Sequence, residues 1–162
     1  MLQVLPDVPR GDQPDAASRY AKRAAPFWPE AERRQLVDSV LKLLGAADLE
    51  AVFSTHAQAE VSVMGTLTIA GQDYAVSGRV DRMAVFDDRV VVLDYKTNRV
   101  PPQTAEAIPF AHKAQLAIYR EILAPLYPGK RVDCVLVYTE NASVHTLTPD
   151  ALASALAQLE TK

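Results

Sequence analysis

Two short stretches carry residue types suited to hydrolytic chemistry: GRVDR at 78–82 and VVLDYK at 91–96. Between them, Asp87 and Asp88 signal a tight turn, and a two-residue loop there sets Phe86 opposite Arg89. Counting outward, Asp81 faces Asp94, and directly opposed side chains of an antiparallel pair share one face with Cβ atoms roughly 5 Å apart. Lys96 lies two residues beyond Asp94, on that same face. A one-residue slip would separate all three. Two carboxylates and an ammonium converging at a strand end suit metal-assisted hydrolysis. A hard divalent cation takes oxygen ligands and keeps several waters when only one or two carboxylates hold it. The cation polarises a phosphoryl oxygen and activates water, while a lysine orients that water or stabilises developing charge. The competing reading is a surface Asp–Lys ion pair, which stabilises little and is common on any sheet.

Further along, Gln115 and Tyr119 stand four apart and share a helical face, flanked by Lys113 and Arg120. Their polar tips suit a phosphate or a base; alternatively, Tyr119 simply packs its ring on a half-buried helix edge. Residues 89–131 hold seven Lys and Arg against Asp94, Glu106 and Glu121, net +4 in a chain of net −3. That bias reads either as a phosphate-facing groove or as ordinary solvated faces.

The elements around these residues follow from punctuation and period. Residues 1–14, with Pro6, Pro9, Gly11 and Pro14, read as loop with a stub of helix at 2–5. Asp15 is placed to cap a helix reaching about residue 25, and Pro29 to sit in the first turn of another. Leu36, Val37, Val40, Leu41 and Leu44 recur at helical spacing until Gly45, and a short helical turn is expected over 48–53. From residue 59 the period becomes two: Val61, Val63, Leu67 and Ile69 predict a strand bent at Gly65, then a turn at Gly71, Gln72 and Asp73. A second strand is expected over 74–86, and 89–94 reads as a strand buried on both faces. Pro101 and Pro102 break the chain before a helix over 112–123, a strand over 131–138 and a short partner over 143–147. Thr148, Pro149 and Asp150 open a terminal helix. This order predicts an α/β fold with a mixed sheet flanked by helices.

At 162 residues and 17.7 kDa, with 49% hydrophobic and 23% charged residues, the chain is one globular domain with a real core. The net charge excludes a generically basic nucleic-acid coat. A single cysteine, Cys134 within an apolar run, excludes a disulfide framework, a multi-cysteine zinc site and a cysteine-ligated iron–sulfur cluster. The expectation is a buried, inert thiol. No apolar run reaches membrane-spanning length and no secretory signal opens the chain, which points to a reducing cytoplasm. No G-x-x-x-x-G-K-[ST] loop occurs, so no nucleotide site is expected.

Three segments in order, GRVD at 78–81, LDYKTNR at 93–99 and QLAIY at 115–119, resemble the RecB-like nucleases of the PD-(D/E)XK superfamily. AEV at 59–61 ahead of Met64 and Gly65, and VSGRVDR at 76–82, extend the likeness to the C-terminal nuclease domains of AddA-type helicase–nuclease subunits. The resemblance implies a restriction-endonuclease-like core over 58–162, preceded by a helical part over 1–57 of the same domain. It also implies a Mg²⁺- or Mn²⁺-dependent deoxyribonuclease of exonuclease type, acting on single-stranded ends in double-strand break repair. Helicase domains of the same parent chain and an AddB-type subunit would be its partners. By position, Asp81 and Asp94 resemble the metal-binding carboxylates, the Tyr95 carbonyl a further ligand, and Lys96 the catalytic lysine. Gln115 and Tyr119 resemble the helix residues lining the DNA side, with Arg99 and Lys113 beside them. Glu60 resembles a group supporting the ligands from behind, or else a strand-edge acid paired with an arginine. Such nucleases usually carry a further ligand, commonly histidine, on an earlier helix; residues 1–6 resemble the tail of that helix. His56, His112 and His145 do not follow that pattern and read as surface or loop residues. The chain is therefore expected to be cut just after that ligand, with weakened metal binding and cleavage.

Two other functions compete with the nuclease. One is a catalytically silent module of the same fold that docks DNA or a partner subunit; loss of Mg²⁺-dependent cleavage in Asp94→Ala separates it from the nuclease. The other is an α/β enzyme acting on a small molecule, which needs a closed apolar pocket in place of an open, basic-rimmed cleft.

Overall fold

In a computed structural model that describes residues 1–54 and 57–161, two helices lead into the sheet: α1 (Gln13–Ala24) and α2 (Glu30–Leu44). Pro14 occupies the first turn of α1, where its missing N–H leaves no bond unmade, so the helix starts ahead of Asp15 instead of being capped by it. Pro29 likewise sits just before α2 at the cap, and Gly45 ends that helix. The leading residues are more ordered than a loop. They form 3₁₀ turns at Leu5–Asp7 and Arg10–Asp12, the first seeded by Pro6, with Leu2 and Leu5 buried. The turn expected over 48–53 divides into Ala47–Leu49 and Ala51–Phe53.

The sheet has five strands in chain order: β1 (Ala57–Ile69), β2 (Gln72–Val85), β3 (Arg89–Lys96), β4 (Arg131–Tyr138) and β5 (Ser143–Leu147). Neighbours pair antiparallel except β3 and β4, which are parallel and joined through α3 (Phe110–Leu123). The first hairpin closes on Ala70 and Gly71, both at positive φ, one residue earlier than the expected turn. Strand β1 runs on through Gly65. The glycines at 65 and 78 serve close approach by α3: a Cβ at Gly65 would stand 2.8 Å from Ile122 Cγ2, and one at Gly78 2.7 Å from Tyr119 Cε1.

The sheet is covered on both faces. Helix α3 and the terminal α4 (Pro149–Glu160) cover one, where Val90, Val92, Leu116, Leu136 and Leu152 are buried together. Helices α1 and α2 cover the other, with Val40, Leu43, Val91, Leu93 and Val137. The valine run of β3 thus feeds both cores alternately, as a fully buried parallel strand must. Thr148 caps α4, its Oγ1 accepting from the Ala151 N–H at 3.2 Å. Cys134 is sealed in the core, and burial pushes its thiol up to about 12, away from reactivity. Among the described residues no helix is long and apolar enough to cross a membrane.

Candidate active site

The hairpin between β2 and β3 has the register implied by its two-residue turn. Pairing runs from Val85 with Val90 to Arg82 with Leu93, and the Phe86 N–H donates to the Arg89 carbonyl at 2.8 Å. Beyond Arg82 the ladder stops. There the Tyr95 N–H donates to Asp81 Oδ2 at 2.7 Å, so a carboxylate stands in for a strand partner. The other flank is distorted as well: β1 pairs Ala59 with Arg82 and Val61 with Val80, leaving Glu60 between them at a φ of 56°. Side-chain alternation also breaks, since Val80 and Met83, three apart, both enter the core under α3. Asp81 therefore sits where β2 leaves regular pairing on both sides.

Asp94, only 4% exposed, ends the buried stretch of β3. Its Oδ2 lies 2.6 Å from Lys96 Nζ. Lys96 directs its hydrogen bond to Gln115 Oε1 at 2.7 Å, and Gln115 Nε2 donates in turn to the Tyr119 hydroxyl at 3.3 Å. That hydroxyl donates to the Arg79 carbonyl at 3.0 Å, returning the chain of bonds to β2. The Gln115 amide is thereby fixed, oxygen toward the ammonium and nitrogen toward the phenol. Tyr119 is itself buried with its ring against Gly78, so it braces the site from beneath.

Burial holds the Asp81 carboxyl above the usual carboxylate range; Asp94 and Glu60 add to this by repulsion, while the Tyr95 N–H and Lys96 oppose it. Asp94 Oδ2 is sealed from water, and among the described residues its polar neighbour is the Lys96 ammonium. A buried carboxylate beside a half-buried one fits a hard divalent cation. Asp81, Asp94 and the Tyr95 carbonyl are the groups that would hold one. Among the described residues no three His, Cys, Asp or Glu side chains converge, so waters or phosphate oxygens would complete the shell.

Glu60 stands near enough to Asp81 to repel it, and it pairs with Arg79 at 2.9 Å and accepts from the Gln3 amide, the arrangement of a strand-edge acid. Arg99 is exposed in the loop after β3, and Lys113 donates to the Glu106 carbonyl at 3.4 Å. The single basic groove over 89–131 is not formed. Arg89 and Arg131 are tied to Asp88 and Asp133 at the opposite end of the β3–β4 pair, and Arg120 lines a cleft there with Lys130. An eight-residue strand separates those groups from Lys96 by roughly 25 Å.

Two of the three histidines also depart from expectation, while His56 lies outside the described residues. His112 belongs to α3 and bonds Tyr138, and His145 lies in β5 with its Nε2 buried. Sequence reasoning missed Arg82, the neighbour of Asp81, which is 1% exposed and donates to the carbonyls of Val52 at 2.8 Å and Leu2 at 3.3 Å. Its signal was a cation alternating with Val80 and Ala84 in an apolar strand.

A mixed five-stranded sheet between helices, with Asp81, Asp94 and Lys96 on its inner strands, accords with the family model that the sequence matches over residues 2–161: the chain belongs to the PD-(D/E)XK nuclease superfamily. It is similar to the A subunit of the ATP-dependent helicase/nuclease of Streptococcus mutans, 27% identical over 62% of this chain and 9% of that protein. The corresponding protein of Streptococcus equi subsp. zooepidemicus is 25% identical over 91% of the chain and 12% of its own length. That of Lactococcus lactis is 32% identical over 54% and 7%. The chain thus spans about a tenth of the length of these curated relatives.

Proposed function

We propose that this chain is a divalent-metal-dependent deoxyribonuclease domain, hydrolysing phosphodiester bonds at single-stranded ends during double-strand break processing. One observation carries the reading: Asp94, buried, stands 2.6 Å from the Lys96 ammonium and close enough to Asp81 to perturb it. Asp81, Asp94 and the Tyr95 carbonyl would hold Mg²⁺ or Mn²⁺, which supplies Lewis acidity toward the phosphate and lowers the pKa of water. Lys96 orients the attacking water and stabilises charge growing on the phosphoryl oxygens. Gln115 keeps the ammonium in place, and Tyr119 keeps Gln115 in place. Contacts dominated by phosphates make cleavage indifferent to sequence. Similarity to the helicase/nuclease A subunits supports helicase domains in the same parent chain, and the repair setting and an AddB-type subunit belong to the same reading by the sequence resemblance.

The test is cleavage of a labelled single strand with Mg²⁺ or Mn²⁺, comparing the chain with Asp94→Ala and Lys96→Ala. Metal-dependent cleavage lost in both variants supports the reading. Binding of the oligonucleotide without any cleavage, in every divalent ion, supports a silent docking module instead.

A further inference from the structure

Resting on the nuclease reading, we propose that His112 is a substrate-binding residue of this site, its Nε2–H donating to a non-bridging oxygen of the bound phosphodiester. His112, Gln115 and Tyr119 stand at i, i+3 and i+7 on α3, one stripe of that helix. Gln115 in that stripe already bonds Lys96. From the sheet side, Tyr138 is the register partner of Lys96 across β3 and β4, and its hydroxyl lies 2.8 Å from His112 Nδ1. His112 is thus tied to the Lys96 position from two elements.

The hydrogen on that bond can be assigned. Tyr138 is fully buried, and His112 Nδ1 is the one hydrogen-bond partner of its hydroxyl among the described residues. If Nδ1–H donated to it, the phenolic hydrogen would be left buried and unsatisfied. The phenol therefore donates and Nδ1 accepts, which places the proton of the neutral ring on Nε2. Burial, and secondarily Asp94, push the phenol up, keeping it a donor; burial, then Lys96, hold the imidazole below its ordinary range, keeping it neutral. His145 packs edge-on against the same phenol, ring centroids 5.7 Å apart, and limits its rotation. Nε2 of His112 makes no hydrogen bond among the described residues, and the ring is only half-buried. A neutral donor held beside an ammonium suits a phosphate oxygen: it adds a directed bond without a second charge.

The test measures the affinity of the full chain for a fluorescent single-stranded oligonucleotide in Ca²⁺, together with cleavage kinetics in Mn²⁺. His112→Ala is expected to weaken binding about tenfold and raise KM more than it lowers kcat, the loss of one hydrogen bond to a charged group. His112→Gln, whose amide hydrogen falls near the original Nε2–H, is expected to recover most of that loss. In the unliganded protein, ¹⁵N spectra should show Nε2 of His112 as the protonated nitrogen, and the oligonucleotide should shift that signal. Unchanged affinity and KM in His112→Ala, or a proton on Nδ1, overturns the assignment while leaving the nuclease reading intact. A parent chain that neither binds nor cleaves the strand overturns both.

Discussion

Lys96 Nζ donates to Gln115 Oε1 at 2.7 Å while resting 2.6 Å from Asp94, so the ammonium is positioned by a helix and a strand at once. Neither contact alone would fix it. A lysine bound only to a neighbouring carboxylate keeps its freedom to swing, whereas the second bond aims it along one direction. Removing the amide in Gln115→Ala is expected to lower kcat/KM by about 10- to 100-fold, the range seen when groups that orient active-site residues are lost. Steady-state kinetics on a short single strand, with a thermal melt as control, checks this.

Asp94 supplies a buried carboxylate whose Oδ2 faces the Lys96 ammonium. Asp94→Ala should abolish Mn²⁺ binding by calorimetry and cost about 100-fold or more in cleavage, since metal-derived stabilisation amounts to several kcal/mol. Asp81→Ala should likewise lose the metal. Retained binding in either variant would place the cation elsewhere.

The raised pKa of Asp81 gives stability a definite pH dependence. Burial leads among its causes, so the folded chain holds that proton more tightly than the unfolded chain does. This contribution is therefore fullest below the unfolded aspartate pKa of about 3.9 and is lost as pH rises through the raised folded value. Asp81→Asn should flatten that decline and melt higher than the parent above it, measured by thermal unfolding in metal-free buffer from pH 4 to 8. Saturating Mn²⁺ should stabilise the parent and leave Asp81→Asn unmoved. An unaltered pH profile in the variant would contradict this account.

Gly78 is the point where α3 comes closest to β2. In Gly78→Ala the new methyl would lie 2.7 Å from Tyr119 Cε1 and 2.8 Å from its hydroxyl, so the ring must move. Overpacking of this kind costs about 1–3 kcal/mol, and it also draws the hydroxyl from the Arg79 carbonyl. Gly11→Ala, with nothing within 4 Å, should stay within about 0.5 kcal/mol. Urea denaturation of the pair provides the comparison.

Much of the sheet was legible because its cues are local. The Asp87–Asp88 turn and the valine run of β3 specify register and two-sided burial without reference to the rest of the chain. The same counting placed Asp81 near Asp94 but not the manner of it. The ladder breaks at Asp81 while Arg82 turns to the opposite face, toward carbonyls of residues 2 and 52, and no local pattern encodes partners so distant. The charge cluster failed for a related reason. Arg89 and Lys96 are close in sequence, but a strand carries them to opposite ends of the sheet. His112 was invisible as a site residue because its partner Tyr138 lies 26 residues on.

Arg82 makes the sheet and the leading residues one mechanical body. Its guanidinium donates to Val52 and Leu2 carbonyls and lies over the Phe53 ring at 5.5 Å. It is the next residue along from Asp81, so the clasp and the carboxylate ride on the same piece of backbone. The leading residues are thus anchored one position along the strand from a carboxylate of the candidate site.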